Sequence, residues 1–129
     1  MRGQVSMEFI MVMSLAVIML LGLLSVGAFE LRRSADDARE TRVIDIAQTI
    51  QQELATAYAV RDGYRRTFSI PPTLEKQQYY ILKQNGTAVQ VITVQFRTKS
   101  HSVRTPLCVG SIVPGTNTIR TEGGVLYCN

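Results

Sequence analysis

One carboxylate in this sequence stands where a carboxylate is costly. Glu8 opens onto a run from Phe9 to Phe29 that contains no charged residue and no proline. An unpaired charge at bilayer depth costs about 2.5–3.5 kcal/mol, so Glu8 calls for a partner, a function, or both. A second candidate chemistry is redox, because Cys108 and Cys128 are the only cysteines. Paired, they would close a loop of about 21 residues and contribute about 3 kcal/mol, which requires an oxidising location. Two buried free thiols are the alternative; a metal site is less favoured, since no further ligands stand nearby. Third, Asn85-Gly86-Thr87 is an N-glycosylation sequon as well as a turn signal, and an exposed hairpin tip serves both roles.

Other polar groups carry weaker signals. Arg61, Tyr64, Arg65 and Arg66 form the densest basic and aromatic cluster. Such a cluster suits DNA or an anionic surface, but more simply a solvated face or salt bridges to a neighbouring subunit. Asp36 and Asp37 are adjacent on a helix and therefore point in different directions. His101, the only histidine, falls in a polar loop between strands without a visible partner. No nucleotide loop, carboxylate pair, Cys-His pair or metal-ligand spacing stands out. The sequence thus offers no catalytic, cofactor-binding or metal-ligating residue, and neither an enzyme nor a cofactor is expected.

The elements that position these groups follow from hydrophobic patterning. Phe9 to Phe29 is about 21 residues, or about 31 Å of helix, close to the hydrocarbon thickness of a bilayer. It is too long for an ordinary secretory signal, whose apolar stretch runs about 7–15 residues. Arg2 on the near side favours an N-in, C-out orientation; Arg32 and Arg33 weaken that vote, but Glu30, Asp36 and Asp37 offset them. No strong helix breaker precedes Gly63, so one helix is expected from about Val5 to Arg61, with breaks allowed near Ser25-Val26-Gly27 or Arg32 to Asp37. Its second half is amphipathic: Val43, Ile44, Ala47, Ile50, Leu54, Ala57 and Tyr58 share one face, opposite Asp45, Gln48, Thr49, Gln52 and Thr56. Asp62-Gly63 reads as the stop, with Gly63 as a left-handed cap.

Beyond Gly63 the pattern turns to strands. Tyr64 to Ile70 alternates before Pro71-Pro72. Tyr79 to Gln84 and Ala88 to Phe96 flank the Asn85-Gly86 turn, and weaker strands follow at 102–109, 111–113, 116–122 and 125–128. The expectation is an antiparallel meander of four to six strands with the amphipathic half-helix across one face.

Gly3-Gln4-Val5-Ser6-Met7-Glu8-Phe9 followed by an apolar helix resembles the class III signal sequence of archaeal type IV pilin-like proteins. The resemblance covers about the first thirty residues. It implies an α+β, type IV pilin-like fold: a long N-terminal helix, apolar first and amphipathic second, packed on a small antiparallel β-sheet. It further implies a leader at 1–3, a filament-core helix at 4–30, an amphipathic helix at 31–62 and an extracellular β-rich domain at 63–129. A prepilin peptidase would cut between Gly3 and Gln4, leaving the helix on the mature chain. Glu8 and Phe9 would then serve assembly, Glu8 meeting the new α-amino group of Gln4 on a neighbouring subunit to set axial register. The implied partners are further copies in a helical filament, the membrane before assembly, and an assembly ATPase with its membrane platform; nucleic acid is not expected. The implied function is a structural subunit of an adhesive surface filament. The alternatives are a minor or pseudopilin-like subunit, or a single-span, membrane-anchored extracellular binding protein that does not polymerise.

Overall fold

The structure, a computed structural model, describes residues 7–129, together with the backbone of the helix that begins at Arg2. The α+β arrangement expected from the sequence is present and is consistent with a pilin-like fold. One helix, α1 (Arg2–Val60), is followed by strands β1 (Arg65–Ile70), β2 (Tyr80–Asn85), β3 (Val89–Phe96), β4 (Lys99–Pro106), β5 (Val109–Gly110), β6 (Gly115–Glu122) and β7 (Val125–Cys128). Contacts divide the chain into two compact units, Met1–Ala38 and Arg39–Asn129.

Within the second unit the helical stretch supplies one wall of the core. Val43, Ile46, Ala47, Ile50, Leu54 and Ala57 are buried at 3- and 4-residue spacing, which is one face of an α-helix. Ile46 joins this stripe although the sequence reading passed over it; Ile44 is only half-buried and Tyr58 is exposed. The expected polar face is exposed, and the Thr49 and Thr56 hydroxyls donate to the carbonyls of Asp45 and Gln52 one turn back. The core is completed by Phe68 and Ile70 of β1, Ile92, Val94 and Phe96 of β3, Val103 of β4, Ile119 of β6 and Leu126 of β7. Tyr79 is also buried: its hydroxyl donates to the Pro71 carbonyl, and burial pushes its pKa up to about 12.

The strands divide between two sheets instead of forming a single meander. One has the order β1-β6-β7-β5, with β5 parallel to β7; the other is the antiparallel meander β2-β3-β4. Residues 111–113 are not a strand, and His101 lies within β4, half-buried opposite Val94, not in a loop. The β2–β3 hairpin forms where expected, but its apex is two residues further on. Asn85 still pairs with Gln90, and Gly86 N–H donates to Val89 O, leaving Thr87 and Ala88 at the tip. A Cβ on Gly86 would stand 2.6 Å from the Val89 carbonyl oxygen, so close approach of two backbones is what requires glycine there.

The helix stop is also displaced. α1 ends at Val60, and the left-handed residue that follows is Arg61 (φ 66°), with Gly63 (φ 84°) already in the next turn. Gly63 N–H donates to Thr121 O and begins the pairing that β1 and β6 continue. Asp62 accepts from Gly124 N–H, tying this turn to the β6–β7 turn. A left-handed residue with a Cβ is strained by about 1–2 kcal/mol, which glycine avoids at the cost of a more flexible unfolded chain. Arg61→Gly is therefore expected to stabilise the fold by about 0.5–1 kcal/mol and raise the melting temperature by several degrees. A lowered melting temperature in thermal unfolding would show that the Arg61 side chain itself holds the cap.

Candidate functional site

In the first unit the outstanding feature is apolar surface. From Met7 to Leu31 the large hydrophobic side chains are 49–74 % exposed. Phe9, Ile10, Met11, Val12 and Met13 are consecutive, so they cover every side of the helix and not one stripe. A helix that is hydrophobic all round belongs in a membrane or in a bundle of other helices, and the stretch is long and apolar enough to cross a membrane.

The two serine hydroxyls in this stretch are already satisfied. Ser14 Oγ donates to Ile10 O at 2.7 Å, and Ser25 Oγ donates to Leu21 O at 2.8 Å. Each hydroxyl folds back onto its own helix, so neither needs water. Glu8 has no such partner among the described residues. It is exposed at the start of the apolar surface, immediately before Phe9 at 65 % exposure, and has no ion pair among the described residues. Gly3 and Gln4, the expected cleavage pair, lie outside residues 7–129, and only their helical backbone is described.

The second unit holds the remaining sequence-derived sites. Cys108 and Cys128 form a disulfide, with Cα atoms 6.0 Å apart and both residues buried. The bond joins the segment before β5 to the end of β7, strands that also pair in parallel. Two side chains that the sequence reading missed hold the Cys108 backbone. Gln90, fully buried in β3, accepts from Cys108 N–H at 3.2 Å, and Lys83 of β2 donates to the carbonyls of Cys108 and, at 2.8 Å, Gly110. Burial lowers the Lys83 pKa, yet the two carbonyls give its ammonium good partners. Neither residue has a local motif that would flag it; a lone lysine in a strand facing the core side was the only available signal. Gly110 completes the arrangement. Its φ is 110°, and a Cβ there would lie 1.9 Å from the Cys128 carbonyl oxygen, so any side chain would force β5 away from β7.

Asn85 is exposed at the end of β2, so the sequon is accessible. The basic and aromatic cluster is dispersed by strand alternation and does not form one patch. Arg66 reaches back to the helix, 3.2 Å from Glu53, while Arg65 faces the other side of β1; Arg61 is in the cap and the Tyr64 hydroxyl is buried. Nearer the start of the unit, Lys99 contacts Glu40 at 2.7 Å, and this ammonium holds the Glu40 carboxyl below the usual carboxylate range. Arg39 pairs with Glu75 at 2.9 Å.

The molecule is thus a protein with a membrane-compatible helix, exposed and apolar on all sides, joined in sequence to a disulfide-bonded α+β unit. Among the described residues no three His, Cys, Asp or Glu side chains come together as metal ligands. No family model, curated protein or solved structure matches the chain.

Proposed function

We propose that this chain is a structural subunit of an archaeal type IV pilus-like surface filament. It is inserted N-in, C-out, cut before Gln4 by a prepilin peptidase, and assembled by an ATPase-driven machine through its apolar helix. The observation that carries this reading is the exposed apolar helix with a single acid, Glu8, at its start. Lipid covers such a surface in the precursor, and neighbouring helices cover it in a filament. The disulfide supports placing the second unit outside the cytoplasm, where such bonds persist. The role is mechanical, and adhesion is its natural use.

The same exposed helix also suits a single-span anchor for an external binding domain, so the two readings part at the N-terminus of the mature protein. Intact-mass analysis or N-terminal sequencing of protein isolated from cells is expected to find a chain that starts at Gln4. A start at Met1 would support the plain anchor, and a start near Glu30 would support simple secretion; either would reject pilin processing. Electron microscopy of sheared surface material then separates a filament-forming subunit from a minor, pseudopilin-like one.

A further inference from the structure

The outward face of the four-stranded sheet carries a pairing that the isolated chain has no reason to favour. Arg65 of β1 and Arg120 of β6 are direct cross-strand partners, and like charges placed opposite each other in a sheet repel. Both are exposed. Arg120 lies over the Tyr127 ring, 5.1 Å from its centroid. Glu122, its one carboxylate partner among the described residues, is 3.5 Å away, and both side chains are more than half exposed (52 % and 63 %), so that pair is weak. Arg65 has no ion pair among the described residues. The two arginines line a cleft of about 490 Å³ together with Thr118, Tyr127 and Asn129.

Away from the arginines, the same face continues in hydroxyls. Thr67 is paired with Thr118, their oxygens 3.2 Å apart, and Ser69 is paired with Thr116. Arg65, Thr67 and Ser69 lie opposite the buried Phe68 and Ile70 and therefore share the outer side of β1. The strip from Arg65 to Ser69 is about 14 Å long at strand rise, cationic at one end and hydroxylated along the rest. A ligand that fits it carries widely spaced anions on a chain otherwise rich in hydroxyls. Nucleic acid fits poorly, because it presents a phosphate at every nucleotide and calls for cations along the whole track. Tyr127, the aromatic in this cleft, is already covered by Arg120.

We propose that this face binds an acidic polysaccharide, seating one sugar carboxylate between Arg65 and Arg120 and the neighbouring sugar hydroxyls along Thr67, Thr118, Ser69 and Thr116. Two guanidinium forks converging on one carboxylate give charge-assisted, directional hydrogen bonds and relieve the repulsion between the arginines. The site lies within the second unit and does not depend on filament assembly. It can therefore fail while the assembly reading stands, or stand while that reading fails.

The test is calorimetric titration of the full chain, held in a neutral polyoxyethylene detergent, with a hyaluronan octasaccharide, which bears one carboxylate per disaccharide. Saturable binding is expected, weakening steeply with salt, with a chito-oligosaccharide of equal length bound at least about tenfold more weakly. Arg65→Gln and Arg120→Gln are each expected to weaken binding by about tenfold or more, and Arg120→Lys, which keeps the charge but loses the fork, by nearly as much. Both positions of change carry exposed side chains, so unchanged thermal unfolding of the three variants is the control for folding. Absence of saturable binding, equal affinity for the neutral oligosaccharide, indifference to both Arg→Gln changes, or tighter binding of a duplex DNA 12-mer than of the saccharide would each overturn the proposal.

Discussion

With Cys108→Ala and Cys128→Ala combined, the second unit is expected to lose about 3 kcal/mol of stability, a large share of what holds a domain of this size together. The loop closed by the bond spans a sequence separation of 20 and contains β5, β6 and most of β7. Without the bond, the unfolded chain regains the freedom to separate those ends, and that entropy is the main source of the effect. The loss is not expected to become complete unfolding. Lys83 and Gln90 still hold the Cys108 backbone, and β6 still pairs with β1 and β7. Denaturant unfolding of the double-alanine chain, compared with the oxidised parent and with the parent in reducing agent, measures this. Agreement of the two thiol-free or reduced forms near 3 kcal/mol below the parent is the expected result; a difference under about 1 kcal/mol would mean that the side-chain contacts, not the covalent bond, fix the chain end.

Glu8→Ala is expected to leave membrane insertion and cleavage before Gln4 intact while abolishing normal filaments. The reason lies in what remains after the substitution. On the proposed reading, cleavage would create an α-amino group on Gln4, and in a packed bundle that amine would need the carboxylate of a neighbour. Removing one partner of a buried pair leaves the other charge uncompensated, at about 3–5 kcal/mol, which is more than a hundredfold per subunit contact. Glu8→Gln tests the charge specifically, since it keeps the shape and a hydrogen-bonding oxygen but not the ion pair. Mature chain accumulating in the membrane without filaments is the expected phenotype of both. Normal filaments from Glu8→Ala would defeat the assignment of register to this residue.

Local signals carried the parts of the fold that are local. The apolar stretch, the stripe through Val43, Ala47, Ile50, Leu54 and Ala57, and the β2–β3 hairpin all rest on spacing within a few residues. The disulfide was legible because the chain has only two cysteines. What escaped was held in place from far away. The β3–β4 hairpin turns through Arg97 and Thr98 with Arg97 at φ 54°, and a second tight turn uses Glu75 (φ 49°) and Lys76 (φ 62°). Neither contains the glycine or asparagine that marks such turns. Contacts between segments stand in for that chemistry: Arg97 donates to Gln77 at 2.9 Å, and Arg39 binds Glu75. The division into two sheets follows from β1 pairing with β6, strands some fifty residues apart, a choice no local window contains. Likewise, nothing local relates Arg65, in a charge cluster, to Arg120, in a weak strand; the register places them side by side.

The serines of the apolar helix have a consequence for how easily a subunit changes surroundings. Ser14 and Ser25 carry their acceptors with them, one turn back on the same helix. Moving that surface from lipid to the side of another helix therefore makes and breaks no hydrogen bonds at either position, and the apolar side chains exchange one oily medium for another. On the proposed reading, the transfer is governed by fit between surfaces and not by solvation, which leaves it near balance. A filament built from such helices can be dismantled as readily as it is raised, its subunits returning to the bilayer undamaged and ready for reuse.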